Sequence, residues 1–182
     1  MNTLTLTPSS MLDRQRHARL IADFENVCAV AGLQGRFLQE SMKTYCSPEE
    51  VEWVSNFRTN MREGSTGLVL EGISRPDTRC QAICAAFVRN YIDARVVPLN
   101  TVLEAYEEDK LGNPTVLLIP NLYVHSAQKN MLDWKVQTLY DLLLQRSVNN
   151  RATVLYVENM SGLQKAYGLP FADFLSGFLK IT

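Results

Sequence analysis

The stretch Thr115-Val116-Leu117-Leu118-Ile119 is apolar without the polar position at every second residue that a strand with one wet face would have. A strand that reads this way is buried on both faces, which calls for a parallel sheet covered by helices on both sides. The rest of the chain agrees. Gly67–Glu71, Ala94–Leu99 and Ala152–Val157 read as further strands. Helices are expected at about Thr78–Tyr91, at Thr101–Asp109 with Asn100 as its cap, and at Leu132–Arg146, with one or two short helices closing the chain. Gly112-Asn113-Pro114 supplies the turn before the apolar run. The expected fold is α/β, a parallel sheet with helices on both faces.

Upstream of the first strand the period changes. Leu12, Leu20, Ile21, Phe24, Val27 and Cys28 recur near helical spacing, so Met11 to Val30 reads as one amphipathic helix stopped by Gly32. Leu33–Thr44 reads as irregular, with room for a short helix. Ser47-Pro48-Glu49-Glu50 is a helix start: the serine caps, proline is tolerated at the first position, and Glu50 completes a capping box. That helix is expected to run through Trp53, Val54 and Phe57 to Gly64. Residues 1–30 are therefore read as a polar tail and an amphipathic helix, and residues 31–182 as the α/β core. The stripe Leu20, Ile21, Phe24 and Val27 has two readings, packing back on its own domain or docking on a partner protein.

Lysine and arginine number 18 against 19 acidic residues, for a formal net charge of −1, so bulk charge offers no grip on nucleic-acid phosphates. The densest basic stretch, Arg14, Arg16, His17 and Arg19, reads as the solvated face of a helix. Contact with DNA is thus expected to be weak or indirect, and Trp53, Trp134 and the tyrosines read as core or interface residues. The four cysteines form no CxxC pair and only two histidines could join them, so no metal site and no cofactor are expected. Cys80 and Cys84 share a helix face as small core residues, which suits a reducing, cytoplasmic compartment. The first ten residues have no basic-then-apolar pattern of a secretory leader, and no apolar run approaches the ~20 residues of a membrane span.

In an α/β sheet of this kind ligands sit beyond the carboxyl ends of the strands. The turn after Glu71 is where a phosphate loop would lie. Such a loop needs glycines so that backbone N–H groups can wrap phosphate, a lysine for charge, and a hydroxyl for Mg²⁺. Here it reads Gly72-Ile73-Ser74-Arg75-Pro76-Asp77-Thr78-Arg79. The first glycine is present, but the second glycine and the lysine are missing. Pro76 has no N–H, and Asp77 brings a negative charge. Arg75 and Arg79 are the cations left to take the lysine's role, and a planar guanidinium replaces a compact ammonium poorly. The second place follows Ile119. An ATPase would put carboxylates there to hold Mg²⁺ and polarise water, and this chain has Pro120 and Asn121.

The order of segments resembles DnaC/IstB-type AAA+ proteins. Ala31-Gly32-Leu33-Gln34-Gly35-Arg36-Phe37, then Tyr45, a helix and Gly67-Leu68-Val69-Leu70-Glu71-Gly72 are similar to that family's lead-in to its phosphate loop. Pro114–Leu122 stands where the family has "LLIDDLG", Trp134 with Leu139–Leu143 and Arg146 where it has "W…LYxLLxxR", and Ala152–Ser161 where it has "PTILTSNLS". The resemblance covers residues 31–178. It implies an oligomerising AAA+ protein that delivers a replicative helicase onto single-stranded DNA or assists a transposase. It makes Asn159 the match to the polar sensor residue and puts Phe174 where an arginine finger would be. The interval Asn100–Asn113 is too short for the family's single-strand-binding insert, no full C-terminal lid is present, and the N-terminal helicase-binding part is reduced to the Met11–Val30 helix. Three functional readings follow. The first is a non-hydrolysing, loader-like protein that contacts a replicative helicase, an AAA+ relative or further copies of itself. The second is an active ATP-dependent loader. The third is a regulatory adaptor with an unrelated role.

Overall fold

The computed structural model describes residues 9–126 and 132–182; the expected polar tail at residues 1–8 lies outside the described residues. Five strands, β1 (Gly67–Glu71), β2 (Ala94–Val96), β3 (Val116–Tyr123), β4 (Ala152–Val157) and β5 (Leu179–Ile181), form one sheet in the order β2-β3-β4-β1-β5. Every neighbouring pair is parallel. Successive residues of a strand point to opposite faces, and here both faces are apolar. Leu68, Leu70, Val116, Leu118, Val154 and Tyr156 join one core cluster, and Val69, Leu117, Ile119, Leu155 and Val157 join the other. This is the two-sided burial that the apolar run at 115–119 called for.

The first face is covered by the N-terminal half of the chain: α1 (Ala18–Ala22), α2 (Phe24–Ala31), α3 (Gly35–Gln39), α4 (Pro48–Ser55), α5 (Phe57–Arg62) and α6 (Pro76–Arg89). The second is covered by α7 (Leu99–Glu107), α8 (Asp133–Val148), α9 (Met160–Tyr167) and α10 (Leu169–Ser176). The Ser47–Glu50 capping box forms as expected, with both reciprocal bonds.

Several boundaries differ from the sequence reading, each for a local reason. The single helix expected at Met11–Val30 is two short ones. Residues 13–17 turn instead, because His17 Nδ1 accepts the Asp13 N–H at 2.8 Å and Asp13 Oδ1 accepts the N–H of Gln15 and Arg16. Asp23, at φ −118°, then separates α1 from α2. The helix from Ser47 toward Gly64 breaks likewise at Asn56. Asn100 is no cap: α7 starts one residue earlier, and the Leu99 N–H bonds to Asn121 Oδ1 at 2.9 Å. The strand expected at Ala94–Leu99 ends at Val96, α6 starts at Pro76 rather than Thr78, and β5 went unforeseen in so short a stretch.

Two buried arginines tie these layers together. Arg89, 6% exposed at the end of α6, donates through Nη1 to the carbonyls of Phe37 (2.8 Å), Leu38 (3.3 Å) and Glu40 (3.1 Å). Arg146, 3% exposed near the end of α8, bonds the Pro114 carbonyl through both Nη atoms, the Ala152 carbonyl at 2.6 Å and Thr153 Oγ1 at 3.2 Å. Burial lowers the Arg146 pKa to about 10, with neighbouring Arg151 adding to the effect, so the group stays charged at neutral pH.

The N-terminal stripe lies on this core. Leu12 and Leu20 are buried, Ile21, Phe24 and Val27 pack against the same cluster, and the Phe24 ring sits where a Cβ on Gly35 would be. Deleting residues 1–32 is expected to cost several kcal/mol, since each large buried apolar side chain contributes about 1.5–3 kcal/mol. The truncated chain should unfold at lower urea and lose solubility; unchanged urea midpoint after truncation would contradict this packing. Arg146→Met should cost about 3 kcal/mol by stranding the Pro114 and Ala152 carbonyls, read in the same urea titration.

Candidate functional site

The carboxyl ends of β1, β3 and β4 bring together the residues singled out from the sequence, and the side chains of Arg79, Asn121 and Asn159 have local tasks. After β1, Gly72 turns at φ +64° and its N–H donates to the Val157 carbonyl at 2.9 Å, which seals the turn against the end of β4. Arg75 sits in the left-handed region at φ 52°, exposed, as the residue before α6, and makes no side-chain cap. Pro76 opens the helix and Asp77 lies in its first turn. A helix N-terminus attracts an anion through its free N–H groups and dipole. In this chain the proline removes one of those donors, and the Asp77 carboxylate already supplies negative charge. Thr78, half-buried, follows in the same turn.

Arg79, one of the two cations that could replace the lysine, points elsewhere. Its Nη1 lies 3.1 Å from Glu50 Oε2, a carboxylate that is 0% exposed and also accepts the Ser47 N–H at 2.5 Å. The same guanidinium therefore neutralises a buried charge made by the α4 capping box. Breaking such a pair from one side leaves an uncompensated buried ion.

The second place differs from expectation in backbone as well as side chain. The strand does not end at Ile119; it continues to Tyr123 through an irregularity, since Ile119 pairs with Leu155 but Tyr123 pairs with Val157. Pro120 stands in this bulge, where its missing N–H does not interrupt the ladder. Asn121, next to it, holds the N-terminus of α7 through Leu99. Neither position carries a carboxylate. Asn159 caps α9, with Oδ1 accepting the Gly162 N–H at 2.5 Å. That bond is local and needs no ligand.

Residues that sequence reasoning passed over complete the edge. Glu71 Oε1 accepts the Met160 N–H at 2.7 Å and Oε2 lies 3.1 Å from Lys180 Nζ. Glu158 Oε2 accepts the His125 N–H at 2.7 Å, and His125 Nδ1 is 3.3 Å from the Tyr123 hydroxyl. The available signal was their position, each at or just past the end of a strand. Glu71 is paired with Lys180 and Arg75 stands exposed at the same turn, which leaves Asp77 and Glu158 as carboxylates of this edge with no ion-pair partner among the described residues. Among the described residues no cluster of His, Cys, Asp or Glu could hold a metal ion. The thiols are poor nucleophiles: burial raises Cys46 to about 12 and pushes Cys80 and Cys84 well up as well. No described helix is long and apolar enough to cross a membrane.

Leu20, Ile21, Phe24 and Val27 are not part of this edge; they pack on the first face of the core. Trp53 is core, 3% exposed, whereas Trp134 is 51% exposed on α8.

No family model matches the sequence, and no curated protein matches it. Solved structures do match in fold. A DNA replication initiation factor superimposes with a TM-score of 0.56 at 7% identity, over 82% of this chain and 50% of the other, so this chain spans half the length of that protein. The DnaC helicase loader superimposes with a TM-score of 0.56 at 13% identity, over 81% of this chain and 99% of the other. At these identities the likeness is one of fold, a five-stranded parallel α/β sheet with helices on both faces.

Proposed function

We propose that this chain is a loader-like protein that acts in the cytoplasm through protein contacts in DNA replication or mobile-element maintenance, without turning over ATP. Its partner is a replicative helicase or an AAA+ relative, with self-association as a further contact. The single observation that carries the reading is the start of α6, where Pro76 and Asp77 occupy the turn that would cradle phosphate while Arg79 is held by Glu50. The likeness in fold to a helicase loader and a replication initiation factor supports the partner class.

Nucleotide titration tests the first half. ATP and ADP with Mg²⁺ are expected to bind more weakly than ~1 mM, and phosphate release is expected at background. Micromolar, Mg²⁺-dependent affinity would overturn the reading. Arg79→Ala separates a structural arginine from one that has taken over the lysine's task. The structural role predicts a loss of about 2–3 kcal/mol of stability, because the Glu50 carboxylate loses its partner, and no change in nucleotide binding. The double variant Pro120→Asp, Asn121→Glu is expected to stay inactive, since the phosphate turn is still missing. Co-purification of the tagged chain with the host's replicative helicase tests the second half; recovery of neither a helicase nor an AAA+ protein would count against it.

A further inference from the structure

On the first face of the domain, away from the strand ends, α4, α5, the end of α6 and the turn at Ser41–Lys43 enclose a groove of about 660 Å³. Its charged lining residues are Lys43, Arg58 and Arg89, all cations, and no acidic residue lines it. Among the described residues none of the three makes an ion pair. The lining is thus locally cationic in a chain of net charge −1.

Arg89 is the decisive group. It is 94% buried by its 6% exposure, and all three of its hydrogen bonds leave from Nη1, to the Phe37, Leu38 and Glu40 carbonyls. Its Nε and Nη2 have no hydrogen-bond partner among the described residues, although these are the two donors a guanidinium presents side by side to a carboxylate. A buried cation bonded only to carbonyl oxygens is destabilised by lost hydration, and burial indeed lowers the Arg89 pKa. An anion in the groove would supply the missing counter-charge. Lys43 and Arg58, both exposed, stand on the lining to steer it.

The rest of the lining says what the anion is attached to. Val51 and Val54 are half-buried and lie three residues apart on α4, and Met11 and Met42 add further apolar surface. The aromatic residues in the lining, Phe57 and Phe87, are 7% and 1% exposed and packed edge to face on each other at 4.7 Å, so neither offers a ring face for a base to stack on. Base stacking is the main sequence-tolerant contact of single-stranded nucleic acid, and its absence favours a peptide. The chain's own first eight residues, Met-Asn-Thr-Leu-Thr-Leu-Thr-Pro, contain no carboxylate side chain and cannot provide the anion. We infer that this groove binds an acidic, apolar segment of a partner protein, with a carboxylate on Arg89 and aliphatic side chains against Val51 and Val54. The proposal is independent of the nucleotide question, because no residue of the groove belongs to the strand-end edge.

The probe is a random peptide library displayed on phage and selected on the full-length chain. The wild-type protein is expected to enrich peptides that combine Asp or Glu with Leu, Ile or Phe. The double variant Lys43→Glu, Arg58→Glu changes only exposed side chains, so its fold should be intact by circular dichroism. It should weaken binding of a selected peptide by about tenfold or more, since charge reversal at a rim acts directly on encounter and affinity. Arg89→Gln, checked for folding in the same way, should weaken it further. Replacing the acids of the selected peptide by Asn and Gln should abolish binding. Enrichment without acidic bias, or equal affinity for wild type and the double variant, would overturn the proposal. So would displacement of the peptide by oligothymidylate or inorganic phosphate at concentrations equal to its own, which would assign the groove to a phosphate ligand instead.

Discussion

Arg146 anchors the amino-terminal ends of β3 and β4 to α8, and much of the second face is set by that contact. Parallel strands buried on both sides leave carbonyls at their ends that neither water nor the ladder reaches, and such groups are costly unless bonded. Arg146 collects the carbonyls of Pro114 and Ala152 and the hydroxyl of Thr153. Those residues lead into β3 and β4, which pair from Val116 and Ala152 onward. A helix fixed by a planar, buried guanidinium cannot slide along the strands without losing several bonds together. Arg89 does the equivalent on the opposite face, where α6 holds the carbonyls at the carboxyl end of α3. The charge-assisted bonds of two arginines thus align two helical layers on a sheet whose own packing is non-directional.

At and beside the strand-end edge, polar side chains are bonded to the starts of helices. Glu50, Asn121, Asn159 and Glu71 each satisfy a backbone N–H: those of Ser47, Leu99, Gly162 and Met160. Every one of these bonds closes the start of a helix, which otherwise leaves donors unpaired. These four side chains are therefore held by neighbours, whereas Arg75 stays exposed at the turn.

Much of the fold was readable because its signals are strong and local. The apolar run at 115–119 established two-sided burial, and the alternation of strands and helices established the parallel sheet. What escaped were features decided by contacts distant in sequence. Nothing near Asn100 reveals that the donor at Leu99 would find Asn121 instead. The Met11–Val30 periodicity is real, yet a local exception interrupts it, where His17 Nδ1 accepts the Asp13 N–H and Asp13 Oδ1 those of Gln15 and Arg16. β5 has three residues and, among the described residues, pairs only with β1, so it leaves almost no pattern of its own. At the candidate site, the missing lysine, glycine and carboxylates were plain from residue identity. The tasks given to Arg79, Asn121 and Asn159 were not, because each depends on a partner that only folding brings near.

The bulge at Pro120 makes this arrangement hard to leave by small steps. Tyr123 pairs with Val157 only because residues 120–122 bow out of the ladder, and its ring then meets Tyr167 edge to face at 5.8 Å. From Tyr167 a continuous series of rings runs through Phe171, Tyr140 and Phe174 to Phe178, which packs where a Cβ on Gly67 would stand. Straightening β3 to align a metal-binding carboxylate would shift Tyr123 along the strand, detach Leu99 from Asn121 and disturb that ring series as far as the start of β1. Substitutions at residues 120–122 are thus coupled to packing as distant as Gly67, and their costs should not add as those of independent sites do.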